Sequence, residues 1–114
     1  MGETLVGIAA LCAEAKKDLR IKTAPQDIED EVKELVLSAL DDMAMHGVDS
    51  ARICPDGAPL SEMKSLGVRA VKFYVKAHFG VSRNEPEVAR FKACYDTLVN
   101  SMSLTSEYRK EDDS

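Results

Sequence analysis

The nucleophiles and metal ligands in this sequence are few. There are three cysteines, Cys12, Cys54 and Cys94, and two histidines, His46 and His78. A zinc site wants Cys or His ligands two to four residues apart, in pairs. No CxxC occurs, and neither histidine lies beside a cysteine. Three widely spaced cysteines fit free thiols in a reducing compartment better than a disulfide frame. His46 falls near the end of one helical pattern and His78 near the end of another, where an imidazole serves as a satisfied helix-end group. Asp41 and Asp42 are adjacent acids, but general acid–base work needs a pocket to hold them, and the pattern places them on a solvated helix face. The acids at Asp27, Glu29, Asp30 and Glu31 crowd the start of a helix, where negative charge suits the dipole. The dinucleotide, P-loop, zincin and nucleophile-elbow motifs are all missing. The reading is of a non-enzymatic protein with no catalytic residue, no metal and no cofactor.

What would position these residues is a set of helices. At 114 residues the expectation is one domain, with 1–103 as its body. Aromatic residues make up only 5% and Trp is absent, so the core must be Leu, Val, Ala and Met, which suits helix-on-helix packing. The central element is 66–80, LGVRAVKFYVKAHFG. Val68, Val71, Val75 and Phe79 recur at steps of three and four, and Ala70, Phe73, Tyr74 and Ala77 widen the stripe. A stripe so wide implies neighbours on more than one side.

The expected fold is all-α, a small bundle of four helices over about 4–21, 27–46, 59–79 and 85–102. The first carries Leu5, Ile8, Leu11, Cys12, Ala15 and Leu19 on one face. The second is expected to start at an Asp27 cap, to bury Ile28, Val32, Leu35, Val36, Ala39, Leu40 and Met43, and to end at Gly47. Residues 47–59 form a long loop rich in Pro and Gly, from which Val48, Ile53 and Cys54 fold back onto the core. The third helix starts near Pro59, a residue suited to a first turn. Gly67 inside it costs about 1 kcal/mol relative to Ala, so it marks either a close crossing or a break. Asn84 is expected to cap the fourth helix, whose seam is Val88, Phe91, Tyr95, Leu98 and Met102, with Cys94 beside it as core filling.

Residues 103–114 carry only Leu104 and Tyr108 as large apolar groups. Burying both gains roughly 3–6 kcal/mol, against roughly 12–24 kcal/mol of backbone entropy for twelve residues. The expectation is a mobile tail that orders on a partner through Leu104 and Tyr108.

The net charge is −5, which argues against broad phosphate binding. The best basic cluster is Arg69, Lys72 and Lys76 on the third helix, an alternative DNA-contact face for a small packaging or regulatory accessory. The connection before it is too long and Pro-rich for a helix-turn-helix. No apolar run approaches the roughly 20 residues that cross a bilayer. Glu3 stands where a secretory signal would carry positive charge, so none is expected.

One resemblance spans nearly the whole chain. Leu19-Arg20-Ile21, then Asp27, then Ile28, Leu35 and Ala39 resemble the opening of small head–tail connector proteins of tailed bacteriophages and prophages. Tyr74, Val75, Lys76, Phe79 and Gly80, followed by Tyr95, Asp96, Leu98, Met102, Ser106, Glu107 and Tyr108, resemble the later helices of the same group. The 47–59 loop is longer than in that pattern. The resemblance implies a ring-forming, all-helical structural protein acting in head completion. Such a ring docks under the portal protein, extends the DNA channel and offers a platform to a tail-side completion protein. Genomic DNA would pass through without sequence recognition. The implied location is the bacterial host cytoplasm during assembly, then the head–tail interface of the virion, with no membrane.

Overall fold

The structure is a computed structural model that describes residues 6–19, 25–55, 57–79, 85–105 and 107–109. It is all-α. The elements are α1 (Gly7–Asp18), α2 (Gln26–Met45), the single turn α3 (Ser50–Ile53), a 3-10 turn at Leu60–Glu62, α4 (Ser65–His78) and α5 (Glu85–Ser103). Among the described residues there is no strand, only the isolated bridges Val6–Pro59 and Val48–Arg109.

The apolar stripes decide the packing. α4 buries Val68, Ala70, Val71, Val75 and Ala77, and it touches α1, α2, α3 and α5. The central place of this helix follows from that width. α2 buries Val32, Val36, Ala39, Leu40 and Met43. α1 buries Ala10, Leu11 and Ala15, whose small side chains let it lie close to α2 and α4. α5 turns Tyr95, Val99 and Met102 inward, and Leu98 packs partly against the same core. Cys94 is only half-buried.

The helix stops follow local chemistry. Gly47 adopts φ +87°, and the amides of Gly47 and Val48 bond back to the Ala44 and Met43 carbonyls at 3.1 and 2.9 Å. This left-handed stop satisfies carbonyls that the helix leaves open. The start of α2 differs from expectation. Pro25 holds the cap position, its carbonyl accepting from the Ile28 and Glu29 amides, and Asp27 lies inside the first turn. An acid there still favours the positive helix end. Asn84 and Gly80 lie outside the described residues, as do Thr4 and Leu5.

The region expected to be one long loop and the start of a helix is more ordered. Asp49 caps α3, its carboxylate accepting from the Ala51 amide at 3.0 Å. Val48 and Ile53 are fully buried, and Cys54 packs partly against the core. The helix expected from 59 begins instead at Ser65. Met63 is extended and drawn into the core, and the Lys64 amide donates to the Ile53 carbonyl at 3.3 Å. Tying residue 64 to α3 breaks any helix running through it. Gly67 sits just past that break, and a Cβ built there would lie 2.4 Å from Ile53 Cγ2. Both readings of Gly67 hold: a break precedes it, and α3 crosses against it.

The largest correction concerns the C-terminal tail. Leu104 is 75% exposed, but Tyr108 is only 5% exposed and belongs to the core. The Asp49 amide donates to the Tyr108 carbonyl at 2.7 Å, and the Tyr108 and Arg109 amides bond to Thr105 at 3.0 Å. The entropy argument failed because it charged all twelve residues. One turn after α5 suffices to bring Tyr108 home, and its backbone bonds offset part of the ordering cost.

Candidate interaction surface

The C-terminal end of α2 and one face of α5 line a hollow of about 330 Å³. Its lining includes Asp42, His46, Tyr95, Asp96, Asn100 and Ser103. The floor is built by Tyr95. Its ring is buried, and its hydroxyl donates to Asp42 Oδ2 at 2.7 Å, with the Ala39 carbonyl 3.4 Å away. Tyr74 of α4 meets the Tyr95 ring edge-on at 5.2 Å, and His78 stacks on Tyr74 at 4.2 Å. Edge-to-face and offset contacts of this kind suit the aromatic quadrupole.

Burial is the main reason that the Tyr95 phenol is pushed well above its ordinary pKa, and the Asp42 carboxylate beside it adds to the effect. The hydroxyl is therefore a fixed donor rather than a base. Asp42, read from the sequence as one of a solvated pair, is the acceptor that satisfies it, whereas Asp41 is exposed. A buried Tyr oxygen requires a partner, and that requirement was the signal available in the sequence.

A raised phenol pKa ties stability to pH. The native state holds the proton more tightly than the unfolded chain, so this stability is complete below the unfolded value and is lost as pH rises past it. Urea midpoints should therefore fall above about pH 10. Tyr95→Phe should cost about 1 kcal/mol at neutral pH and flatten the alkaline fall. Some slope remains, because burial also raises Tyr74 and Tyr108. An alkaline fall unchanged in the variant would contradict the Asp42–Tyr95 bond.

The other chemistry-bearing residues are placed as follows. His46 Nδ1 lies 2.8 Å from the Asp42 carbonyl and His78 Nδ1 lies 2.9 Å from the Tyr74 carbonyl, so each imidazole sits over its own helix end. No disulfide joins Cys12, Cys54 or Cys94. Cys12 lines a second hollow between α1 and α2, and burial raises its pKa, which keeps it a protonated thiol. No group of three His, Cys, Asp or Glu side chains could hold a metal among the described residues. No described helix is long and apolar enough to cross a membrane.

The basic cluster of α4 is divided. Arg69 is exposed. Lys72 Nζ lies 3.4 Å from Glu14 Oε1, and Lys76 Nζ lies 3.0 Å from Asp18 Oδ2 while also covering the Phe91 ring. Two of the three cations thus face carboxylates of α1. The pair proposed for partner docking is split as well, since Tyr108 is buried in its own chain and only Leu104 is presented to solvent.

Leu104 does not stand alone. Among the described residues, Met45 at 84% and Leu104 at 75% are the most exposed large apolar side chains. Met45 precedes His46, and Leu104 follows Ser103, so both adjoin the lining of the α2–α5 hollow. An acidic hollow whose lining residues are followed or preceded in sequence by exposed apolar side chains is the candidate docking surface. Comparison with protein-family models, with curated proteins and with solved structures finds no match.

Proposed function

We propose that this chain is a structural assembly protein of the head–tail connector type, building a ring beneath a phage portal. The ring would lengthen the DNA channel and carry a platform for a tail-side completion protein. The observation that carries the reading is the exposure of Met45 and Leu104, each one position in sequence from a residue that lines the hollow with Asp42 and Asp96. Under this reading, Met45 and Leu104 are the side chains that a partner covers. The sequence resemblance names the kind of assembly, and an all-α bundle presenting rigid helix faces suits it. A net charge of −5 is compatible with a conduit that does not retain phosphates.

The alternative is a DNA-binding accessory using Arg69, Lys72 and Lys76. It is the weaker reading, because binding a duplex through Lys72 and Lys76 would compete with Glu14 and Asp18. Negative-stain images of the concentrated protein, alone and with portal protein, test the first reading. Closed rings of uniform diameter are expected. Particles that never close under either condition, together with salt-sensitive retention on duplex DNA, would favour the accessory instead.

A further inference from the structure

The α2–α5 hollow has a counterpart on the other flank of the molecule. A third hollow, of about 350 Å³, is lined by Leu60, Met63, Val68, Arg69 and Lys72, with two serines. It lies on the α1 side of α4, because Lys72 reaches Glu14 there and the 3-10 turn also touches α1. The α2–α5 hollow lies on the opposite side. Tyr74, which meets Tyr95, is two residues from Lys72 and so points about 200° around the same helix.

The two surfaces complement each other. One holds the carboxylates Asp42 and Asp96, and exposed Met45 and Leu104 are next in sequence to its lining residues His46 and Ser103. The other offers a recess with apolar walls from Leu60, Met63 and Val68, and a rim with Arg69 exposed. Apolar knobs face an apolar recess, and acids face a guanidinium, whose fork suits carboxylates.

We propose that the occupant is a second copy of this chain, docked head to tail. Met45 and Leu104 of one copy enter the Leu60–Met63–Val68 recess of the next, and Arg69 of that copy faces Asp96. This rests on the assembly reading above and assigns its contact surfaces. Because the two patches differ and lie on opposite flanks, each copy uses both. Such a contact is heterologous, and it closes into a ring when the rotation allows.

The test uses Arg69→Asp, Asp96→Arg, the double swap and Met45→Asp, all at exposed positions of the full chain. Sedimentation velocity reads assembly, and circular dichroism checks that each variant is folded. Each single reversal should weaken self-association about tenfold or more, and the double should recover most of the loss. Met45→Asp should weaken it at least as much. Wild-type assembly that is indifferent to the single reversals, or a double variant that fails to recover, overturns the surface pairing and leaves the ring reading standing. Assembly intact in Met45→Asp gives that face to another occupant and also overturns the pairing. A product that stops at a two-fold dimer rules out the head-to-tail geometry. A wild-type chain that never self-associates overturns the ring reading, and this pairing with it.

Discussion

Replacing Tyr108 with alanine is expected to lower stability by about 3–4 kcal/mol, the usual range for truncating a buried aromatic. The thermal midpoint should then fall by roughly 10–15 °C. Three contacts stand behind the size of this loss. The ring is buried in the core, the Leu66 backbone hydrogen-bonds its hydroxyl, and Lys64 Nζ lies 5.6 Å from its centroid. Its backbone also closes the far side of the 47–59 region through Asp49. Ending the chain at Ser103 should cost at least as much as the point substitution. Leu104→Ser supplies the control. That side chain is exposed, so stability should move by less than about 0.5 kcal/mol, while assembly weakens. A Tyr108→Ala variant that melts with the wild type would return the tail to the solvent. It would also restore Tyr108 as a partner-docking residue.

Gly67→Ala is the second large effect, and its sign runs against helix propensity. On an open helix the substitution gains about 1 kcal/mol. Here the new Cβ would lie 2.4, 2.5 and 2.9 Å from Cγ2, Cγ1 and Cβ of Ile53. Ile53 is itself fully buried and cannot swing aside without displacing other core groups. Overpacking of this sort costs typically 1–3 kcal/mol. Because even the Ile53 Cβ is too close, α3 must shift as a whole, so the overpacking should cost about 3 kcal/mol, the upper end of that range, and the net loss after the propensity gain should be about 2 kcal/mol. The cycle with Ile53→Ala identifies the cause. Removing both γ carbons relieves the two shortest contacts, so the double variant should be more stable than the sum of the singles by about 1 kcal/mol or more. Strict additivity would mean that Gly67 is needed for some reason other than its closeness to α3.

These two residues also mark how far the sequence could be read. The 3.6-residue stripes gave the helices and most of their buried faces. Val32, Val36, Ala39, Leu40 and Met43 pack as their spacing predicts, and Gly47 stops α2 where expected. Such features depend on neighbours a few positions away. Gly67 was half-legible, since a glycine within a helical pattern signals an exception but does not name Ile53. Tyr108 was misread because its stability comes from partners about forty to sixty residues away, Leu66 and Asp49. The start of α4 was misplaced for the same kind of reason. Pro59 is well suited to a first turn, but the Lys64 amide is held by Ile53, and that bond outweighs local preference.

The candidate surface was harder to foresee than the fold. Leu104 was named as a docking residue from its apolar character alone, and it is indeed presented to solvent. Met45 is the last residue of α2, and nothing in its helical pattern marks it as exposed. Hydrophobic patterning finds residues that belong inside, so an apolar side chain left outside is visible only once the core is closed. Asp42 and Tyr95 show the converse. Each looked ordinary in its own helix, and only packing reveals that one satisfies the other. The basic stripe of α4 looked free because Glu14 and Asp18 lie on a separate element, more than fifty positions earlier.

Under the proposed function the chain binds copies of itself. Sedimentation equilibrium over a wide range of concentrations, with and without portal protein, tests it most directly. The account predicts one dominant closed species whose mass is a fixed multiple of 12.5 kDa. A single 12.5 kDa particle at every concentration, indifferent to the portal, would contradict it.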